Sequence, residues 1–168
     1  NPDSQVVFGV IQDITKRKQA EKQLRDLNAI QGLILNNSTL GIALVKHRRF
    51  EWVNPRTAEL FNRPLDELQG ASTRVIYSSD EAFEALGRHA YPILAENERY
   101  DHAVEFSRKD GSLFWCRLIG KALDPRHPDE GSLWMFEDIT ERQNAEIQLL
   151  RLSTAIEQSP EAVVITDL

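Results

Sequence analysis

The twelve residues "DITKRKQAEKQL" at 13–24 return as "DITERQNAEIQL" at 138–149, identical at eight of the twelve positions. The copies begin 125 residues apart, Asp13 to Asp138, which is the size of one ordinary domain. A chain that repeats a phrase at this spacing reads as a tandem array whose units each end in it. The flanks agree. "VVFGVIQ" precedes the first copy and "GSLWMFE" the second, both short apolar runs of β-formers. After each copy the apolar period turns helical. Ala20, Leu24, Leu27, Gln31 and Ile34 recur in the first, and Ala145, Leu149, Leu152 and Ile156 in the second, at the alternating steps of an a/d seam. Further on, "NNSTLGIALVKH" at 36–47 resembles "EQSPEAVVITDL" at 157–168.

The expected organisation follows. Residues 1–14 are the closing strand of one domain, 15–37 a connector helix, 38–141 a complete domain, 142–158 a second connector helix, and 159–168 the first strand of a further domain. Connectors with such a seam are expected to pair in a homodimer; the alternative is two amphipathic helices packed on their own domain. From Asp13 to Ser38 is 25 residues and from Asp138 to Ser159 is 21, so the connectors differ by four, the stutter increment that shifts the phase of a seam.

Composition removes several classes of function. A net charge of -6 gives no basic field for nucleic acid or an anionic membrane surface, so neither is an expected partner. The one cysteine, Cys116, cannot form an intrachain disulfide, which suits a reducing compartment. No apolar run approaches the roughly 20 residues that span a bilayer, and "NPDSQVV" has no signal-peptide character. A cytoplasmic location is expected, for a parent that is free to carry a membrane anchor elsewhere.

Within 38–141, "GIALVKH" and "RFEWVNP" read as a hairpin across a charged turn, closed by Asn54 and Pro55. "RTAELFNRPLDELQG" reads as one or two short helices stopped by Gly70. Ser79, Asp80 and Glu81 cap a longer helix with an apolar stripe of Phe83, Leu86, Ala90, Ile93 and Leu94, and Pro92 on its other side. "YDHAVEFSR" turns through Lys109-Asp110-Gly111-Ser112 into "LFWCRLIGKAL", and "SLWMFED" follows. The order β-β-α-α-α-β-β-β predicts an α+β fold, helices on one face of an antiparallel sheet.

That order, with "WVNPRTAELF" at 52–61, "RPLDELQG" at 63–70, "RKDGSLFW" at 108–115 and "GSLWMFEDITER" at 131–142, resembles the PAS sensory domain and its C-terminal PAC half. Asn62 departs from the pattern, since the family often has Gly there. The resemblance implies a five-stranded sheet cupping a small pocket that senses a ligand, redox state or light, or that only dimerises. It also implies an output domain elsewhere in the same chain, a diguanylate cyclase (GGDEF-type) or a histidine kinase.

Pocket chemistry is expected to be modest. "GASTRVIY" at 70–77 puts Thr73 where flavin-photoactive members carry a reactive Cys, and a hydroxyl is no substitute for a thiolate. No covalently bound cofactor is expected, while haem and a non-covalent flavin stay open. His89 is the histidine of the long helix, where haem-binding members place their ligand, but at about 100° per residue it falls on the flank of the apolar stripe. His47, His102 and His127 show no metal spacing. A small-molecule ligand would meet Trp52, Trp115 and Trp134 from the strands, with Arg74 and Tyr77 at the pocket mouth as carboxylate holders. Each also has a plainer reading, as core aromatic or surface polar group. No nucleophile–base pair appears, so the fragment is expected to be non-enzymatic.

The repeated phrase sits where strand becomes helix. Asp138 and Thr140 are expected to cap the outgoing helix, with Gln143 completing a box-like pattern; in the first copy Asp13 and Thr15 persist while Lys18 replaces the glutamine. These four residues are the expected relay between pocket and connector. The rival function is a ligand-free spacer that only dimerises its neighbours.

Overall fold

The computed structural model describes residues 15–157 and divides after Asn37 into two units. The expected strands at 1–14 and 159–168, and Asp13 with them, lie outside the described residues. The first unit holds α1 (Thr15–Asn36), in which Leu24, Leu27 and Ile34 of the seam are exposed. The second holds β1 (Gly41–Lys46), β2 (Arg49–Val53), α2 (Pro55–Phe61), α3 (Leu65–Leu68), a 3-10 turn (Thr73–Ile76), α4 (Asp80–Ala95), β3 (Tyr100–Ser107), β4 (Leu113–Ala122), β5 (Ser132–Asp138) and α5 (Thr140–Glu157). The strands form one antiparallel sheet in the order β2-β1-β5-β4-β3. The chain is thus the α+β architecture that the element order implies, with a short 3-10 turn added before the long helix.

Asn54 organises the first half. Its side-chain oxygen accepts from the amides of Ile42 (2.8 Å) and Thr57 (3.0 Å), and its amide group donates to the Leu40 carbonyl (3.0 Å). One buried side chain therefore caps α2 and fastens that helix to β1, while Pro55 at the first helical position forfeits no bond. Asn62 ends α2 in the left-handed region (φ 51°), so an asparagine does here what glycine often does. The cap of α4 is equally local, with the Ser79 hydroxyl accepting from the Ala82 amide (3.2 Å). Pro92 lies exposed within α4.

The core lies between the helices and one face of the sheet. Phe61 meets Phe106, Phe114 and Phe136 edge-on at 5.3–5.6 Å between ring centres, joining α2 to β3, β4 and β5. On β2 the alternation of faces breaks: Phe50 pairs with Val45 but Trp52 pairs with Leu44, leaving Glu51 as the extra residue of a bulge. The bulge turns Trp52 away from the core, beside Leu44. Trp115 also faces outward, alternating on β4 with buried Phe114 and Cys116.

Two hairpin turns contrast in chemistry. The β3–β4 turn has Gly111 at φ +84° and is braced by Asp110, whose carboxylate accepts from the Ser112 amide and hydroxyl. The β1–β2 turn has no glycine: His47 (φ 47°) and Arg48 (φ 58°) both take the left-handed region, which costs an ordinary residue about 1–2 kcal/mol. Its neighbours hold it there. The His47 amide donates to the Asp129 carbonyl, and the Arg48 carbonyl accepts from both the amide and the hydroxyl of Thr73.

Candidate functional site

A cavity of about 30 Å³ opens between the β1–β2 turn, the 3-10 turn, α4 and the inner sheet face. Its floor is apolar, with Ile76, Leu118, Trp134 and Phe136; its polar groups are Arg48, Thr73, Tyr77 and Tyr91. Trp134 lies against Gly120 on β4, where a Cβ would come within 2.4 Å of the indole, so glycine is what admits the ring. The indole N–H is already satisfied by the buried Ser132 hydroxyl at 2.8 Å. Burial pushes the Tyr77 phenol well above its usual range, with the Arg48 charge pulling weakly the other way, and burial also raises Tyr91. Both are neutral phenols at physiological pH.

Arg48 closes the mouth. Its guanidinium stacks over the Phe83 ring at 3.3 Å, donates to the Phe83 carbonyl, and meets the Glu84 carboxylate at 3.1 Å. It also lies against Gly87, where a Cβ would stand 3.0 Å from the guanidinium carbon.

The second feature is the joint between β5 and α5. The Asp138 carboxylate accepts from the Thr140 amide (2.9 Å) and from Arg108 (2.7 Å). Burial alone would raise its pKa, but hydrogen bonds from Thr140 and Arg108 outweigh that and hold the carboxyl below its ordinary range. Arg108 also donates to the Leu60 carbonyl at the end of α2 and stacks on Phe114 at 4.0 Å. Thr140 departs from expectation. Its hydroxyl does not cap its own helix but accepts from the Trp115 amide (3.0 Å) on β4, while the Ile139 amide donates to the Trp115 carbonyl (2.9 Å). The reason is that β4 outlasts β5: the strand pairing ends at Cys116–Asp138, and Trp115 would otherwise keep an unpaired amide. Gln143 forms no box; its amide continues the helix by bonding Ile139.

A family model described as "PAS fold" matches residues 35–144. The chain belongs to the PAS-fold family. It is 33% identical over 117 residues to the sensor protein TdiS of Thauera aromatica, a match covering 70% of this chain and 21% of that one. The chain thus spans about a fifth of that relative's length. Among solved structures it is similar to the PAS domain, in complex with ethanol, of a LuxR-family transcriptional regulator from Burkholderia thailandensis. That match has TM-score 0.61 and 31% identity, over 64% of this chain and 95% of that one. A PAS domain from Colwellia psychrerythraea, at TM-score 0.62 and 13% identity, over 69% of this chain and 99% of that one, agrees in fold alone. PAS domains are in general non-catalytic sensory modules, and this chain is a PAS signal-input domain.

Within this PAS domain the anticipated pocket residues separate. Tyr77 and Trp134 line the cavity. Trp52 and Trp115 do not, because the bulge and the strand alternation put them on the outer sheet face. Arg74 is turned away, bound to Asp80 and to the Tyr77 carbonyl (2.8 Å). His89 is exposed and meets His102 and Tyr100 of β3 edge-on, 4.9 and 5.6 Å between ring centres, outside the cavity lining. Asp138 and Thr140 meet at the joint; Thr15 is the first residue of α1. Arg48, Tyr91 and Arg108 were missed. The glycine-free turn "HRR" is the clue to Arg48 in the sequence, while Arg108 lies within "RKDGS". Among the described residues no helix is long and apolar enough to cross a membrane, and no three His, Cys, Asp or Glu could hold a metal.

Proposed function

We propose that this PAS domain senses a small molecule in the cavity and passes its state through the Asp138–Thr140 joint to α5. One observation carries the reading: β5 serves both places. Trp134 and Phe136 line the cavity, and Asp138, two residues on, grips Arg108 and begins the connector. A displacement of a few tenths of an ångström at the indole has a short, hydrogen-bonded path to the helix, and coupling of about 1–3 kcal/mol is enough to bias an output.

The cavity has room for about two waters, too little for a flavin or a haem, so we read the domain as cofactor-free. The ethanol complex of the Burkholderia relative is in keeping with a ligand of a few heavy atoms. Cys116 does not supply a redox trigger, since burial pushes its thiol up to about 12. The connectors pair in a homodimer: Ile147, Leu149, Leu150 and Leu152 of α5 are exposed, as are the α1 leucines, and the seam repeats in both helices. A cytoplasmic parent bearing a histidine kinase or diguanylate cyclase would receive the signal; the likeness to a sensor protein supports a signalling parent.

The second reading, a ligand-free spacer, is favoured by how little space the cavity holds and by Trp134 being satisfied internally. Native mass spectrometry of the purified chain separates the two, a retained small molecule supporting the sensor. Inserting one to four residues after Leu149 in the full-length parent tests the relay. Output that swings with seam phase, changed most by two residues and brought back toward the starting value by four, is expected at about 100° per residue; output indifferent to phase overturns it.

A further inference from the structure

We propose that the cavity takes a short-chain carboxylate, held by Arg48 in exchange for Glu84; this rests on the reading of the cavity as the ligand site. The backbone under Arg48 is pinned from two sides, by Asp129 through His47 and by Thr73, in a left-handed turn that asparagine and glycine suit better. A turn held in that conformation fixes where its arginine goes, and the place is the cavity mouth, against Gly87.

What faces the arginine inside is donor-rich. Tyr77 and Tyr91 line the same space, and each carries a phenol able to donate. No lining side chain is acidic. Thr73 spends its hydroxyl on the Arg48 carbonyl. A cation and two phenols, above an apolar floor of Ile76 and Leu118, match a group that only accepts, on a short alkyl stem. Volume sets the length. Room for about two waters, widened by the swing of the guanidinium, admits a molecule the size of acetate or propionate. The acids nearby lie outside: Glu84 is half in water, and Asp129 is turned to His47 at 3.7 Å. Glu84 is therefore a built-in competitor, holding the guanidinium when no ligand does.

The test titrates the full chain with propionate and with uncharged 1-propanol at neutral pH and constant ionic strength, following the Trp134 indole N–H resonance. Propionate is expected to saturate and to bind at least about tenfold more tightly than 1-propanol. Arg48→Met removes that advantage, so that propionate and 1-propanol bind the variant alike, while Glu84→Gln tightens propionate by about two- to fivefold, which a merely structural arginine would not do. If 1-propanol binds as well as propionate, or Glu84→Gln has no effect, the carboxylate assignment is overturned and the ligand site stands. If neither probe moves the indole, both fall. Should Arg48→Met not fold, Glu84→Gln decides alone.

Discussion

Arg48 and Arg108 are built alike and do different work. Each guanidinium lies on a phenylalanine ring, Phe83 at 3.3 Å and Phe114 at 4.0 Å. Each donates to a backbone carbonyl, of Phe83 or Leu60, and each meets a carboxylate, Glu84 at 3.1 Å or Asp138 at 2.7 Å. The carboxylates differ. The Glu84 side chain is 53% exposed and among the described residues is anchored by its arginine alone, whereas Asp138 is 29% exposed and is also held by the Thr140 amide. An exposed pair is worth little and exchanges readily; a half-buried pair with satisfied neighbours is costly to break. The same parts thus make a latch at one end of the sheet and a weld at the other.

Removing the two arginines is the strongest way to break this contrast. Arg108→Met should destabilise the domain by about 2–3 kcal/mol, taking the guanidinium from the Leu60 carbonyl and leaving the half-buried Asp138 charge with the Thr140 amide and no cation. Arg48→Met should cost under about 1 kcal/mol. Urea denaturation of both variants measures the difference, and equal losses would end the distinction. On the acid side, Asp138→Asn should cost about 1–2 kcal/mol and Glu84→Gln no more than a few tenths. Thr140→Val should cost about 1 kcal/mol by orphaning the Trp115 amide, read as faster hydrogen exchange there.

Acidity sharpens the same comparison. Asp138 titrates below its ordinary value of 3.8 in the folded chain, so its contribution is complete above that value and is lost as pH falls through the lowered one. The Thr140 amide resonance should follow that titration, and Arg108→Met should move its midpoint upward. The smallest effect is a gain. His47→Asn suits the left-handed turn better and should stabilise by a few tenths of a kcal/mol in a thermal melt, without weakening ligand binding.

Local chemistry was legible in the sequence, and three-dimensional aim was not. Ser79, Pro55 and the Asp110–Gly111 turn announce themselves because each acts within a few residues of its partner, whereas Asn54 is legible as a strand end but not in its bonds to Leu40 and Ile42. The tryptophans on strands were visible as strand residues, but the single bulge at Glu51 decided which way Trp52 looks, and no pattern in "RFEWVNP" encodes it. The sequence points to Arg74 at the cavity mouth and the structure puts Arg48 there, since what turns Arg74 aside is Asp80 and the Tyr77 carbonyl, while Arg48 is aimed by a turn pinned from distant loops. Asp138 was found through the repeat. Arg108, its partner 30 residues earlier, is brought to it only by the β3–β4 hairpin and the pairing of β4 with β5.

Where the indole of Trp134 rests on Gly120, it meets main chain with no Gly120 side chain between. There is no compressible layer to absorb a nudge. Whatever presses that ring presses the peptide ribbon of β4 itself, and the far end of the ribbon, at Trp115, is already stitched to the root of the outgoing helix.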